Sequence, residues 1–392
     1  MEDLEYKSGT RRTINADKSH SYTYFLPSSI PNTLSFSDPT INRLLEEATH
    51  SLGELNAYAR FVPDIDFFIR MHEVREATAS SKIEGTQTNM DEALMREEDI
   101  SPERRDDWHE VQNYIKAMKF SVDSLDKLPI ITRLLNETHA ILLQGVRGSG
   151  KQPGTIRKSQ NWIGGATLKD ARFIPPHPQH IQELLADLER FINTDDFTMP
   201  LLLKAGIAHY QFETIHPYLD GNGRLGRLLI ILYLIQQKML EKPILYLSTF
   251  FEKHRQEYYD ALSRVRTHND MEHWVKFFLV GVKQTAETAT DTLQDIMRLR
   301  DKDAARILKL GRRAPRANAL MKYLYKDPLV SVAEVAFILG VSNQAANSLV
   351  AELEKIGILH EITGFSRNRL FAYKDYMRLF AERHTEEESD RD

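Results

Sequence analysis

The residues best suited to chemistry lie in one stretch, residues 216–227, which we call the loop motif. It reads His-Pro-Tyr-Leu-Asp-Gly-Asn-Gly-Arg-Leu-Gly-Arg. Its histidine, His216, can accept a hydroxyl proton near neutral pH, and Asp220 offers the hard oxygen ligand that Mg²⁺ prefers. Arg224 and Arg227 would share one face of a helix, where two guanidinium groups suit a polyphosphate. A base, a metal ligand and two cations so close together predict phosphoryl or nucleotidyl transfer.

Apolar residues at three- and four-residue spacing predict a buried helix on each side of the loop motif. The first helix should end at Pro217, because a proline disfavours helical backbone at the residue before it. The second should begin inside the motif, where free N–H groups and glycine backbone favour an anion. The spaced residues are Leu201, Leu202, Ala205, Ala208, Phe212 and Ile215 before the loop, and Leu225, Leu228, Leu229 and Leu232 after it.

Each of these residues alone has an ordinary structural explanation, but their combination resembles the signature of the Fic family (filamentation induced by cyclic AMP). That signature is His-Pro-Phe-x-(Asp/Glu)-Gly-Asn-Gly-Arg-x-x-Arg, and Tyr218 stands where Phe is usual. The resemblance implies a helical domain that transfers AMP from ATP to a protein hydroxyl. It also implies roles for the residues: His216 as general base, Asp220 on Mg²⁺, Gly221, Asn222 and Gly223 in an anion hole, and Arg224 and Arg227 on the β- and γ-phosphates.

A second motif lies upstream, where Ser80 and Glu84 are four residues apart and Gly85 follows. Taken alone it is a solvated helix end with a terminal glycine. Beside the loop motif it is similar to the inhibitory motif of Fic proteins, (Ser/Thr)-x-x-x-Glu-(Gly/Asn). Its position resembles the subclass whose inhibitory helix precedes the catalytic domain. Glu84 would then pair with Arg227 and exclude the γ-phosphate.

Composition limits the function classes. The chain has 392 residues, a net charge of −5 and no cysteine. The negative charge argues against general nucleic-acid binding, so any such contact would be local. The absence of cysteine excludes disulfides and thiolate metal sites and fits a cytoplasmic protein. The acidic N-terminus is unlike a signal peptide, and the longest apolar run is far short of the roughly 20 residues that span a membrane.

The patterning predicts an all-α fold with a C-terminal winged helix-turn-helix domain, and the resemblance implies that it contains a Fic-type helical core with a short β-hairpin flap and an N-terminal helical arm. Strand-like residues around a Gly-Gly turn place the flap at 154–176; in Fic proteins this hairpin binds the target's main chain by strand addition. The expected boundaries are 1–108 for the N-terminal region with the inhibitory helix, 109–290 for the Fic catalytic domain, 291–311 for a helical linker, 312–378 for the winged helix and 384–392 for a disordered tail.

The sequence does not determine whether the predicted winged helix binds DNA or protein. As a DNA reader it would place polar residues of its second helix in the major groove and two arginines on the wing. That helix also carries two glutamates and few cations, whereas DNA binding depends on phosphate neutralisation. A protein-docking or dimerising module is therefore an equal alternative. The DNA-reading candidates are Asn343, Gln344, Asn347, Ser348, Arg367 and Arg369.

These observations predict a protein adenylyltransferase that uses ATP and Mg²⁺, modifies a Ser, Thr or Tyr hydroxyl of a target protein or of itself, and is autoinhibited by Glu84. Two alternatives within the family stay open. One is removal of AMP, because Glu84 could also position a water, and the other is another Fic-type phosphoryl transfer. A transcriptional regulator with a nucleotide-sensing Fic domain is the alternative from another class. A homodimer is plausible for the family. Tyr258 and Tyr259 are candidates either for contacting the adenosine or for core packing.

Overall fold

The structure, a computed structural model, describes residues 6–14, 21–31, 34–62, 64–194, 198–364 and 369–380. The wing candidate Arg367 and the predicted disordered tail 384–392 lie outside the described residues. The chain forms two compact units, each assembled from separate segments. The first comprises Met1–Asn56, Glu76–Thr88 and Ser101–Glu287, and the second comprises Ala57–Arg75, Asn89–Ile100 and Thr288–Asp392.

Helices dominate both units, in agreement with the predicted all-α class. None of the described helices is long and apolar enough to cross a bilayer. The helices are α1 (Pro39–Phe61), α2 (Asp66–Ile83), α3 (Met90–Leu94), α4 (Arg105–Ser124), α5 (Thr132–Leu142), α6 (Ile181–Asn193), α7 (Leu201–Ile215), α8 (Asn222–Gln236), α9 (Ser248–Lys253), α10 (Arg255–His268), α11 (Met271–Leu308), α12 (Ala314–Leu324), α13 (Val332–Leu339), α14 (Asn343–Lys355) and α15 (Lys374–Arg378).

Helices α7 and α8 form the centre of the first unit and pack against each other. Nearly every side chain of both helices is buried, including polar side chains of α7 such as His209 and Glu213. Helix α6 packs on α7, while α4 and α5 pack on α8 and on each other. The loop motif connects α7 to α8, so the most rigid part of this unit holds it.

The N-terminal region begins with a β-hairpin, which corrects the prediction, made from Pro27, Pro31 and Pro39, of an extended arm before the first helix. Strand β1 (Gly9–Ile14) pairs antiparallel with β2 (Tyr22–Pro27). The sequence of β2, Tyr-Thr-Tyr-Phe-Leu-Pro, is rich in the aromatic and β-branched residues that favour strands. Its Tyr24 and Phe25 are buried, and the prolines that suggested an irregular arm lie only at its end and beyond it.

The predicted flap, 154–176, contains a single antiparallel bridge in place of two regular strands. Ile163 donates its N–H to the Phe173 carbonyl at 2.8 Å, and Phe173 returns an N–H to the Ile163 carbonyl at 3.0 Å. Asp170 closes the turn, because its carboxylate accepts the backbone N–H groups of Ala166 and Thr167. The flap is therefore a short hairpin whose turn is held by one side chain.

The second unit contains α12 to α15 and a three-stranded sheet in the order β3-β5-β4, with β3 at Leu329–Ser331, β4 at His360–Glu361 and β5 at Leu370–Ala372. Ser331 and Glu334 form a capping box at the start of α13. The segment predicted as a linker, 291–311, continues α11 as far as Leu308. The assignment of this unit as a winged helix stays a prediction.

Candidate active site

The loop motif leaves α7 through a left-handed residue, since His216 has φ 50° and ψ 61°. Gly221 is also left-handed, with φ 74°, and α8 begins at Asn222. The buried Asn222 side chain braces the loop from inside. Its Oδ1 accepts the Tyr218 N–H at 2.9 Å, and its Nδ2 donates to the Tyr218 carbonyl at 2.9 Å. Asn222 therefore fixes the loop's shape, since both polar atoms of its side chain bind the Tyr218 backbone.

Residues of helix α5 also hold the loop motif in place. His139 stacks on the Tyr218 ring, with 3.9 Å between centroids. Its Nδ1 accepts the Gly154 N–H at 2.8 Å, so its Nε2 carries the proton and donates it to the Asp220 carbonyl at 2.8 Å. The Tyr218 hydroxyl donates to Asn136 Oδ1 at 2.8 Å, so the tyrosine that replaces phenylalanine in the motif has the partner it needs.

Replacing Tyr218 by Phe should lower the free energy of unfolding by about 1 kcal/mol, because the partly buried Asn136 oxygen loses its donor. A double-mutant cycle with Asn136→Ala, followed by urea unfolding, measures this bond. We expect a coupling energy of about 1 kcal/mol. Additive effects of the two single substitutions would show that the hydroxyl does not stabilise the loop through Asn136.

His216 is held for proton transfer from its Nε2 side. Its Nδ1 lies 3.3 Å from the Glu213 carbonyl and donates to it, which leaves Nε2 as the acceptor. Arg157 fixes the backbone at this point, since its Nε donates to the His216 carbonyl at 2.9 Å. Burial, and then the Arg157 charge, lower the pKa of His216 to about 4. The imidazole is therefore neutral, as a general base must be, throughout the physiological pH range.

Arg227 lies buried on α8 and is bound by the upstream motif through Nε and Nη2. Its Nε donates to Ser80 Oγ at 2.9 Å, and its Nη2 donates to the Ser80 carbonyl at 2.9 Å and to Glu84 Oε1 at 2.8 Å. Desolvation raises the pKa of Glu84, but the charge and the hydrogen bond of Arg227, together with the Arg224 charge, outweigh it, so the pKa lies below the usual value. The structure thus brings together both residues of the upstream motif and the second arginine of the loop motif.

Gly223 shows how closely Glu84 approaches the loop. A Cβ added at Gly223 would lie 2.2 Å from Glu84 Oε1, far inside van der Waals contact. With Glu84 in this position, only glycine fits at 223. The Glu84 carboxylate therefore lies against the N-terminus of α8, where the free N–H groups of the helix favour negative charge.

Arg224, the first arginine of the loop motif, lies beside Glu110 of α4. Its Nη1 donates to Glu110 Oε2 at 3.0 Å, and its Nη2 lies 3.7 Å from Asp220 Oδ1. Both Arg224 and Glu110 are buried, whereas the Asp220 side chain is 44% exposed. Asp220 is thus the member of the loop motif that is open to an incoming ion.

The described residues contain no group of three or more His, Cys, Asp or Glu side chains that could hold a metal on their own. Asp220 nevertheless fits Mg²⁺, which is commonly bound by one or two carboxylates together with nucleotide phosphates and water. Its Oδ1 already accepts the Gly221 N–H at 2.6 Å, which orients the carboxylate at the mouth of the loop.

Several residues of the site were missed by sequence reasoning. Glu110, Arg157 and His139 carry no local motif, because each reaches the loop from a distant segment. Glu76 had a signal, since it continues the four-residue spacing of Ser80 and Glu84 on α2. It accepts the Tyr114 hydroxyl at 3.0 Å and the Ser248 N–H at 3.1 Å, and its burial raises its pKa.

Tyr258, one of the adenosine candidates, is a core residue. It is buried, and its hydroxyl lies 2.8 Å from His209 Nε2. The His209 Nδ1 in turn lies 2.8 Å from the Gly226 carbonyl of α8. These hydrogen bonds connect Tyr258 through His209 to the backbone of α8, so Tyr258 packs in the core. The neighbouring Tyr259 is only partly buried.

Comparison with known proteins agrees with this geometry. Residues 42–123 match the Fic/DOC family N-terminal sequence model, and residues 129–234 match the Fic/DOC family model. The chain therefore carries both Fic/DOC domains. This confirms the resemblance inferred from the loop motif, and the second matched region contains His216 and both arginines.

A relative named "Protein adenylyltransferase Fic" from Culex quinquefasciatus is 30% identical over 185 residues, which are 46% of this chain and 34% of the relative. "Protein adenylyltransferase fic-1" from Caenorhabditis briggsae is 34% identical over 128 residues, 32% of this chain and 22% of the relative. The chain thus spans about a third or less of the length of these relatives.

A solved Fic family protein from Desulfovibrio desulfuricans G20 shares the fold across most of the molecule. The similarity has a TM-score of 0.56 and 20% identity, and it covers 88% of this chain and 98% of that one. At this level of identity the likeness establishes the fold, and the Fic/DOC fold therefore extends over the helical core described above.

Proposed function

We propose that this protein transfers AMP from ATP to a Ser, Thr or Tyr hydroxyl of a target protein or of itself, and that Glu84 inhibits the transfer. The observation that carries the proposal is the Fic/DOC loop with a neutral His216 beside two arginines, one of which is occupied by Glu84. The name of the Culex relative supports the choice of AMP as the transferred group. The absence of cysteine is compatible with action in the cytoplasm.

The proposed chemistry follows from the placement of the side chains. The target hydroxyl oxygen attacks the α-phosphorus of ATP while Nε2 of His216 accepts its proton. The bond from the α-phosphorus to the bridging oxygen breaks, and pyrophosphate leaves. The backbone N–H groups of Asn222 and Gly223 and the two arginines would stabilise the negative charge on the phosphates. Asp220 would hold Mg²⁺, which supplies charge neutralisation when it is bound.

The inhibition follows from competition for Arg227. While Glu84 and Ser80 occupy Nε and Nη2 of that guanidinium, the γ-phosphate lacks its partner. ATP bound without this contact would place its α-phosphorus out of line with the attacking hydroxyl. Removal of the Glu84 carboxylate should make the Arg227 guanidinium available to the nucleotide.

The flap supplies a plausible edge for the target chain. Because Ile163 exchanges both hydrogen bonds with Phe173, the Trp162 C=O and the Gly164 N–H, which share peptide planes with Ile163, point to the opposite edge. The outer edge of the flap segment around Ile174 is already paired, since the Phe25 N–H of β2 donates to the Ile174 carbonyl at 3.1 Å. A target strand would therefore pair along residues 161–164, beside the exposed Trp162 ring.

The pH dependence tests the role of His216. A base with a pKa of about 4, below the usual value near 6.5, is active at any higher pH. The rate of AMP transfer by a Glu84→Gly variant should therefore stay level from about pH 8 to pH 5.5 and fall only at lower pH. Initial rates measured in buffers of constant ionic strength give this profile, and a fall centred near pH 6.5 would contradict the inferred environment.

Intact-mass spectrometry tests the proposed reaction. Glu84→Gly protein incubated with ATP and Mg²⁺ should gain the mass of one or more AMP groups. An unchanged mass with self or with candidate targets, together with release of AMP from a previously modified protein, would favour AMP removal. A mass gain of one phosphate would indicate phosphoryl transfer.

DNA binding is a second candidate function of the C-terminal unit, because α14 exposes one polar face. Asn343, Gln344 and Ser348 are exposed, and Arg369 donates to Asn347 Oδ1 at 3.2 Å on the same side. The cations are few, and Arg313 is paired with Glu352 at 2.9 Å. Gel-shift titration at two salt concentrations decides the matter: salt-dependent binding that Gln344→Ala weakens supports DNA. A protein partner, or a homodimer, is the outcome favoured if no binding is seen.

A further inference from the structure

Glu110 is a buried carboxylate that no motif identifies and that lies beside Arg224 of the loop motif. Its Oε2 accepts Nη1 of Arg224 at 3.0 Å and the Thr86 hydroxyl at 3.2 Å. Its Oε1 accepts Nε of Arg147 at 2.8 Å. A buried carboxylate with three donors is held in one orientation, so it holds the guanidinium of Arg224 in one orientation as well.

The orientation of Arg224 leaves one side of its guanidinium for a ligand. Glu110 takes Nη1, and the Nε of Arg224 is buried without a hydrogen-bond partner among the described residues. Nη2 has only the 3.7 Å approach of Asp220. Nε and Nη2 form the side-on edge of the guanidinium, which binds two phosphate oxygens at once. An unpartnered buried donor of this kind indicates a ligand that completes it.

Glu110 also connects this arginine to the inhibitory segment. Thr86 lies two residues beyond Glu84, and the next residue, Gln87, donates its N–H to Asp107 Oδ2 at 2.7 Å. Asp107 and Glu110 are one turn apart on α4 and share Arg147 as a partner. The segment after Glu84 is therefore anchored to Glu110, which binds Arg224, and to the neighbouring Asp107.

We infer that Glu110 is a positioning residue that aims the Nε and Nη2 edge of Arg224 at the outer phosphates of the nucleotide. The inference rests on the proposed use of ATP. The role of Glu110 differs from that of Glu84. Glu84 occupies Arg227 and blocks it, whereas Glu110 binds Nη1 of Arg224 and leaves Nε and Nη2 for the phosphates. Loss of Glu110 should weaken binding of a triphosphate and leave binding of a monophosphate unchanged.

The test is calorimetric binding of ATP and of AMP to the full chain carrying Glu84→Gly, with and without Glu110→Gln. We expect the added substitution to weaken ATP binding about tenfold and to leave AMP binding within twofold. Glu110→Asp, which keeps the charge, should recover part of the loss. The matched control is Glu137→Gln on α5, which breaks a surface ion pair with Arg133 at 2.8 Å and should change neither affinity.

Equal weakening of ATP and AMP would mean that Glu110 only maintains the fold and would overturn the inference, as would unchanged ATP binding. If Glu110→Gln fails to fold, Arg147→Gln gives the answer, because Arg147 is 56% exposed and removes one anchor of Glu110 from outside. We expect a smaller, ATP-selective loss, and no loss would overturn the inference. ATP binding without any AMP transfer would contradict the proposed function and leave the Glu110 result standing.

Discussion

Glu84→Gly should raise the rate of AMP transfer by about 10- to 100-fold over the unsubstituted protein. The reason is the 2.8 Å ion pair between Glu84 and the buried Arg227. A charge-assisted hydrogen bond of this kind is worth about 1.5–3 kcal/mol, and the γ-phosphate must displace it before Arg227 can bind the nucleotide. Glycine also removes the carboxylate that lies against Gly223. Initial rates of label transfer at saturating ATP measure the effect.

The control separates loss of the carboxylate from loosening of the helix end. Lys82→Gly introduces the same backbone freedom two residues earlier and removes only an exposed side chain, which pairs with Glu252 at 2.9 Å. We expect it to leave the rate near that of the unsubstituted protein. A rise in both variants would point to a flexible α2, and a rise in neither would remove Glu84 as the inhibitor.

His216→Ala should lower AMP transfer by the Glu84→Gly protein by about 10²- to 10⁴-fold, the usual contribution of a positioned general base. The structure supports this size of effect, because His216 Nδ1 is engaged by the Glu213 carbonyl and the neutral ring directs Nε2 outward. ATP affinity should change little, since the phosphates are assigned to the arginines and to the α8 N-terminus.

The double variant therefore needs two measurements, the transfer rate and the dissociation constant for ATP. A lost rate with retained ATP binding supports a base. Loss of both would indicate that the alanine has disturbed the loop, in which His216 holds a left-handed conformation. Retained transfer would contradict the role assigned to His216. His50→Ala, at an exposed histidine of α1, serves as the control and should alter neither quantity.

The core of the fold followed from periodicity. The spacing of apolar residues on both sides of Pro217 predicted α7, the loop and α8, because a helix that is buried on all faces repeats its pattern over many turns. The N-terminal hairpin was missed because its strands are short, and the prolines near them carried more weight than the aromatic and β-branched residues of β2. The flap was anticipated from its Gly-Gly turn, although only one bridge forms.

The site was predictable only where its residues share a local pattern. Ser80 and Glu84 lie one helical turn apart, so the face that reaches Arg227 could be inferred. Glu110 and Arg224 are 114 positions apart in the sequence, and nothing in either segment specifies that they meet. The packing of α4 on α8 brings these two residues together, and sequence spacing does not determine that packing.

The most direct test uses ATP labelled on the α-phosphate, with Mg²⁺ and no added target. It compares the unsubstituted protein, Glu84→Gly, and Glu84→Gly with His216→Ala, and it follows label on the protein itself. The account predicts weak labelling in the first, strong labelling in the second and none above background in the third. Labelling only from ATP that carries the label on its γ-phosphate would contradict AMP transfer and identify phosphate as the transferred group.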